Sequence, residues 1–119
     1  MSGAVQEGLM LNGFQSTSGI GVDTRCVQMN IFHSLLRIKG NFYPHTETLR
    51  EHTGHQDYLF SHTGALYSLN TCNGFTKLYD GTEIPSVANR ILIFDSSTIH
   101  NSSTTTNAAG RFNINFNFL

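Results

Sequence analysis

Hydrophobic and polar residues alternate strictly along the last part of the chain, from Arg111 to Phe118. Because successive side chains of a β-strand point to opposite faces of the sheet, this pattern predicts a strand with one apolar and one polar face. The polar face lacks lysine, aspartate and glutamate, so a solvent-exposed face and a polar barrel interior both stay open as interpretations. The apolar face would carry Phe112, Ile114, Phe116 and Phe118, and the polar face Arg111, Asn113, Asn115 and Asn117.

A second alternating segment covers residues 36–43 and ends at Pro44. Proline has no backbone N–H to donate to a neighbouring strand, so it is a natural end for this one. The pattern again predicts two chemically different faces. One would carry Leu36, Ile38, Gly40 and Phe42, and the other Arg37, Lys39, Asn41 and Tyr43.

Three shorter segments have the composition of strands and are bounded by turn residues. Asp80-Gly81 is a strong hairpin signal, and the run from Ile91 to Phe94 predicts a strand buried on both faces. Several short strands without intervening helices are typical of sandwiches and barrels and argue against a Rossmann-type fold. The fold class is therefore predicted to be all-β. The three segments are residues 65–70, 75–79 and 89–95.

The patterns before the first alternating segment are weaker. Residues 1–23 are rich in Gly and Ser, which predicts loop or irregular structure. Residues 24–36 contain hydrophobic positions spaced four apart, which favours a short helix, with an early strand as the alternative. The 119-residue length suits one domain, which we place at residues 24–119. The helical pattern consists of Val27, Ile31 and Leu35, with Thr24 as the capping residue.

Charge and composition narrow the classes of partner. The net charge is −1 and only 13% of residues are charged, so no strong field favours nucleic acid or a membrane surface. Cys26 and Cys72 are far apart, which predicts two reduced thiols. We see no secretion signal and no apolar run approaching the roughly 20 residues of a membrane span. We therefore expect a cytoplasmic protein that acts on a small molecule or a peptide.

A short motif, His55-Gln56-Asp57, supplies candidate metal chemistry. In an extended segment, positions i and i+2 point to the same side, so the imidazole and the carboxylate converge on one point. His100 follows the predicted buried strand and is placed to add a second imidazole. Two histidines and one carboxylate form the facial triad that suits non-haem Fe(II) oxygenases, because three adjacent coordination positions stay open. Arg111, at the start of the last strand, has the fork geometry that binds a carboxylate.

Together, His55-x-Asp57, His100 and Arg111 resemble the HxD…H…R signature of the 2-oxoglutarate- and Fe(II)-dependent oxygenases. The stretch from Asn73 to Arg111 is most similar to the prolyl-4-hydroxylase-like branch, and within it to small oxygenases of marine phages and bacteria. The resemblance implies a double-stranded β-helix, or jelly roll, and Fe(II) bound by His55, Asp57 and His100. It also implies that 2-oxoglutarate chelates the iron, that Arg111 binds its distal carboxylate, and that O₂ is consumed.

The same resemblance implies further co-substrate contacts and a substrate class. Peptidyl proline is its leading substrate, while free amino acids, nucleobases and small metabolites stay open. A phage-encoded protein of this kind would act in the host cytoplasm. The additional candidates for 2-oxoglutarate contact are Asn41, Tyr43 and Asn113, followed by Tyr67.

Other readings of the same residues stay open. The scaffold also suits a non-redox cupin-like binding module, an inactive oxygenase relic, or a cupin that uses zinc or manganese. His52 and His55 form an HxxH pair of the kind that binds zinc. In an extended loop, however, this spacing points the two rings apart. No nucleophile elbow surrounds the serines on either side of His100, and their neighbours are typical of turns, which disfavours a serine hydrolase. Surface positions are expected for the remaining histidines, His33, His45, His52 and His62, with the mouth of the cleft as the alternative for His62.

Overall fold

The computed structural model of the chain describes residues 14–16, 18–20 and 34–119. Within these residues the regular structure consists of antiparallel β-strands, with no helix. The all-β prediction is thus confirmed for the described part of the chain. The strands are β1 (Phe14–Ser16), β2 (Ser18–Ile20), β3 (Leu35–Pro44), β4 (Thr63–Ser68), β5 (Phe75–Lys77), β6 (Glu83–Pro85), β7 (Ile91–Asp95), β8 (Asn101–Ser102) and β9 (Gly110–Phe118).

Of residues 1–36, for which we predicted loop and helix, the structure describes only residues 14–16, 18–20 and 34–36. In residues 1–23, β1 and β2 pair with each other in antiparallel fashion, Phe14 opposite Ile20. The predicted helix lies mostly outside the described residues. At its C-terminal end, Leu35 and Leu36 belong to β3.

Four strands form the larger sheet, in the order β3-β9-β4-β7. β3 and β9 pair over their whole lengths, so that Tyr43 lies opposite Arg111 and Asn41 opposite Asn113. This register places the polar faces of both strands on the same side of the sheet. The polar residues of β9 are buried, so of the two interpretations of that face the polar interior is correct. They are Arg111, Asn113, Asn115 and Asn117.

A smaller sheet with the order β6-β5-β8 lies across the interior. The extended segment of residues 50–55 continues it, because the backbone N–H of His52 donates to the carbonyl of Ser102 at 2.8 Å. The predicted hairpin at Asp80-Gly81 joins β5 to β6. Gly81 has φ of +89°, a left-handed conformation that favours glycine.

The apolar core is small and lies beside the polar interior. One packed cluster of it consists of Leu78, Leu92 and Phe94, and the other buried apolar side chains among the described residues are Ala65, Cys72, Phe75 and Phe118. The apolar face of the β3 and β9 pair points away from the interior, and Ile38 and Phe42 on it are exposed. The described residues include no helix long and apolar enough to cross a membrane.

Candidate metal centre

His55 and His100 lie side by side on two adjacent extended segments. Their backbones exchange two hydrogen bonds, of 2.9 and 3.0 Å, and their ring centroids are 4.6 Å apart. Asp57 lies two residues beyond His55, on the same side of its segment, as the sequence pattern predicts. The fold therefore brings together three side chains that the chain separates by up to 45 positions, from residue 55 to residue 100.

The candidate ligand atoms converge on one point. Oδ1 of Asp57 lies 3.2 Å from Nε2 of His55 and 3.4 Å from Nε2 of His100. Neighbouring donors around an octahedral ion with bonds of roughly 2.1 Å lie roughly 3 Å apart, so these separations suit a shared metal ion. The side chains of Asp57 and His100 are buried, whereas that of His55 is 55% exposed, so the centre is open on the His55 side.

Asp57 is held through its other oxygen. Oδ2 accepts hydrogen bonds from Ser96 Oγ at 2.6 Å, Asn117 Nδ2 at 2.9 Å and Asn115 Nδ2 at 3.0 Å. Burial works to raise the pKa of Asp57, but the imidazole of His100 beside Oδ1 and the hydrogen bonds to Oδ2 outweigh it. Together they hold the pKa well below its ordinary value. The carboxylate is therefore ionised and presents Oδ1 to the two imidazoles.

His100 is oriented in a comparable way. Its Nδ1 lies 2.8 Å from the carbonyl oxygen of Thr98, which can only accept, so Nδ1 carries the proton of the neutral ring. Nε2 is then a free lone pair that points toward Asp57. The ring of Phe94 packs edge-on against the imidazole with centroids 4.9 Å apart. A fixed tautomer of this kind is typical of metal-binding histidines.

The centre opens into a cleft of about 500 Å³ between the two sheets, including its solvent-open part. Three of the residues predicted to contact a co-substrate line it, namely Asn41, Tyr43 and Asn113. Nδ2 of Asn41 donates to Oδ1 of Asn113 at 2.9 Å, so the two amides form one polar wall. The lining residues are Arg37, Lys39, Asn41, Tyr43, His55, Asp57, Leu66, Thr76, Phe94, His100, Asn101, Ser102, Asn113 and Asn115.

Arg111 lies next to this wall, on the same face of β9 as Asn113 and opposite Tyr43, and is 1% exposed. Its terminal nitrogens donate to Thr76 Oγ1 at 2.9 Å and to the carbonyl of Ser103 at 3.2 Å. Its Nε is buried and has no hydrogen-bond partner among the residues that the structure describes. Burial lowers the pKa of Arg111, but a guanidinium stays charged in proteins. Within the described residues no carboxylate pairs with it, so Arg111 is a buried cation with neutral neighbours.

Two residues lie elsewhere than the sequence reasoning placed them. Tyr67 points to the outer face of the larger sheet, where its hydroxyl donates to Asn89 Oδ1 at 2.6 Å, so its predicted role in the cleft is wrong. His62 is 5% exposed, so its predicted surface position is also wrong. Its Nδ1 pairs with the carbonyl of Phe60 at 2.9 Å, which satisfies the ring away from water. His33 lies outside the described residues.

Sequence reasoning missed the residues that hold Asp57. Asn115 and Asn117 are on the polar face recognised in β9, but no signal connected them with Asp57. Ser96 directly follows the predicted strand of residues 89–95, and nothing in the sequence pattern connects it with Asp57. The available clue was the two-residue period of the strand, which places both amides on the same face as Arg111. If that face is buried, each amide needs a hydrogen-bond partner.

The donor set fits a divalent metal ion. It combines two imidazole nitrogens and one carboxylate oxygen within 4.8 Å of one another, with the carboxylate and one imidazole fixed by neighbours. A buried arginine and the unpartnered Oδ1 of Asn115 add polar groups that face the interior. Comparison of the chain with protein-family models, curated proteins and solved structures finds no match.

Proposed function

We propose that this protein is a 2-oxoglutarate- and Fe(II)-dependent dioxygenase that hydroxylates a C–H bond. One observation carries the proposal. His55, Asp57 and His100 converge in the lining of a polar cleft, and Arg111, which is buried and has no carboxylate partner among the described residues, contacts two other lining residues, Tyr43 and Thr76. A metal site and a separate buried cation are what a chelating dicarboxylate requires, because one end binds the metal and the other needs a positive partner.

We further propose that the fold is a double-stranded β-helix. Its support is the way in which the chain alternates between the sheets. β3 lies in the larger sheet, residues 50–55 in the smaller, β4 in the larger, β5 and β6 in the smaller, β7 in the larger, β8 in the smaller and β9 in the larger. Such alternation places residues 55, 57 and 100 at one mouth between the sheets.

His55 and His100 would donate through Nε2, and Asp57 through Oδ1. When bound, the metal supplies the redox chemistry that activates dioxygen. In the overall reaction, one oxygen atom enters the substrate C–H bond as a hydroxyl group. The other enters the new carboxylate of succinate, and C1 of 2-oxoglutarate leaves as CO₂. The chain itself positions the reactants and excludes water.

Arg111 would bind the distal carboxylate of 2-oxoglutarate. A buried guanidinium with neutral partners lacks the counter-charge that usually offsets its desolvation, and an anion supplies it. Tyr43 and Thr76 contact Arg111 and also line the cleft, so they lie where the carboxylate would enter. Asn41 and Asn113 would form the side of this pocket.

The experiment is anaerobic titration of the protein with Fe(II) and 2-oxoglutarate. We expect a weak visible charge-transfer absorption that requires both components. Asp57→Ala and His100→Ala should lose it, whereas His45→Ala, which changes an exposed histidine outside the cleft, should keep it.

A non-redox cupin-like module gives a different outcome. It would bind Fe(II), zinc or manganese with no dependence on 2-oxoglutarate, and Arg111→Leu would then leave binding unchanged. Absence of the absorption in a protein that binds Fe(II) would rule out the oxygenase proposal and favour this alternative.

A further inference from the structure

The cleft has more positive than negative side chains. Arg37 and Lys39 project from the inner face of β3 and line it, and Arg111 contacts the lining residues Tyr43 and Thr76. Asp57 is its only acidic lining residue in the part of the chain that the structure describes, and it is assigned to the metal. A divalent metal and a dianionic co-substrate cancel each other, so an excess of positive charge remains in the loaded cleft.

Arg37 and Lys39 differ in what they contact. The Nε of Arg37 donates to Asn117 Oδ1 at 3.1 Å, and a terminal nitrogen lies 3.7 Å from Oδ2 of Asp57. Arg37 thus helps to hold the metal-facing carboxylate. Lys39 makes no ion pair with the described residues, although it lines the same cleft. Its charge is therefore available to a ligand.

The position of Lys39 indicates which ligand this is. In the register of β3 and β9, Lys39 lies opposite Asn115, whose amide donates a hydrogen bond to Asp57. Tyr43, further along β3, lies opposite Arg111. The lysine is solvent-exposed, while Arg111 is buried. The exposed cation therefore lies on the Asp57 side of the cleft, whereas the buried cation lies at the Tyr43 end, the side assigned to the co-substrate.

We propose that Lys39 anchors a carboxylate of the primary substrate, so that the substrate is a small carboxylic acid such as a free or N-acylated amino acid. This inference rests on the proposed function. The cleft is small, because its roughly 500 Å³ already includes open solvent and the metal and co-substrate would fill part of it, and this suits a small substrate. A neutral prolyl peptide, the leading substrate by resemblance, would make no charged contact with Lys39.

The test compares ligands that differ in charge and little in shape. The anaerobic complex with Fe(II) and 2-oxoglutarate is titrated with N-acetyl-L-amino acids, including N-acetyl-L-proline, and with their amides. Binding is measured by calorimetry and by the change in the visible absorption, and succinate release in air follows. We expect at least one carboxylate to bind and to stimulate succinate release, with its amide about tenfold weaker or more.

Two variants locate the effect. Lys39→Gln should weaken binding of that carboxylate about tenfold and leave the affinity for 2-oxoglutarate within about threefold. Lys77→Gln is the matched control, because Lys77 pairs with Glu51 and Glu83 outside the cleft, and it should bind the carboxylate like the unchanged protein.

Three results would overturn the inference. They are equal or better binding of the amides or of a neutral prolyl peptide, no binding by any carboxylate of the set, and an effect of Lys39→Gln confined to 2-oxoglutarate. In each case the absorption with Fe(II) and 2-oxoglutarate would still be present. Loss of that absorption in the unchanged protein would instead count against the proposed function.

Discussion

Asn117 donates a hydrogen bond from Nδ2 to Oδ2 of Asp57 at 2.9 Å, across the interior between the two sheets. The amide oxygen of Asn117 accepts from Arg37 Nε at 3.1 Å, which fixes which end of the amide faces the carboxylate. Ser96 and Asn115 complete the set of donors to Oδ2. Because Oδ2 is occupied in this way, Asp57 offers a metal ion a single oxygen, Oδ1.

This relationship predicts the effect of removing one donor. Ser96→Ala removes the shortest of the three hydrogen bonds and deletes only a hydroxyl group. We expect metal affinity, measured by calorimetry with Co(II) or anaerobic Fe(II), to fall about tenfold, the lower end of the effect of such supporting contacts.

Ser97→Ala is the matched control. It removes the neighbouring hydroxyl, which donates to Asp95 and not to Asp57. Its metal affinity should stay that of the unchanged protein. Equal affinities for the two variants would show that the contact from Ser96 does not prepare Asp57 for metal.

Asp57 also predicts a pH dependence of stability in the metal-free protein. Its pKa is lower in the folded state than its ordinary value of 3.8, so the ionised carboxylate stabilises the fold at pH above that value. This contribution is lost as the pH falls below 3.8 toward the lower folded-state pKa. At pH 7, Asp57→Asn should reduce the free energy of unfolding by about 1–3 kcal/mol.

Urea unfolding of both proteins at a series of pH values tests this. The two share every other carboxylate, so the difference between their curves isolates Asp57. The curves should converge in acid. Parallel curves would mean that Asp57 has no depressed pKa in the folded state.

Arg111→Leu is expected to act mainly on the co-substrate. Loss of a buried partner for a carboxylate should weaken binding of 2-oxoglutarate on the order of 100-fold, with metal affinity little changed. Arg50→Leu, which changes an exposed arginine outside the cleft, serves as the control. An unchanged affinity for 2-oxoglutarate, measured by anaerobic titration, would remove Arg111 from this role.

A substitution at Gly74 tests how tightly the side chain of Arg111 is packed. A Cβ atom at this position would lie 2.7 Å from Cδ of Arg111 and 2.7 Å from the carbonyl oxygen of Thr104, which is backbone. Gly74→Ala should therefore cost about 1–3 kcal/mol of unfolding free energy and weaken binding of 2-oxoglutarate. Gly40→Ala is the control, because an added Cβ there meets nothing within 4 Å.

Urea unfolding and 2-oxoglutarate titration of both variants check this prediction. If Gly74→Ala were as stable as Gly40→Ala and bound the co-substrate equally well, Arg111 would have room to move. Its buried position would then not be fixed by packing.

Much of the local structure could be predicted from the sequence because it depends on neighbouring residues. Strict alternation located β3 and β9, and Asp80-Gly81 located the hairpin between β5 and β6. Two residues apart in an extended segment, His55 and Asp57 share a side by backbone geometry alone. The burial of His62 could not be predicted, because it depends on a contact 55 positions away, with Asn117.

The sequence by itself determined which residues of β9 share a face, since that depends only on the two-residue period of a strand. The tertiary structure decided which face is interior. A face of one arginine and three amides is stable in the interior only if residues distant in the sequence form hydrogen bonds with it. Asn117, for example, donates to Asp57, which lies 60 positions away along the chain. The periodicity of the sequence contains no information about such partners. The polar interior and the hydrogen bonds to Oδ2 of Asp57 are therefore consequences of the tertiary structure.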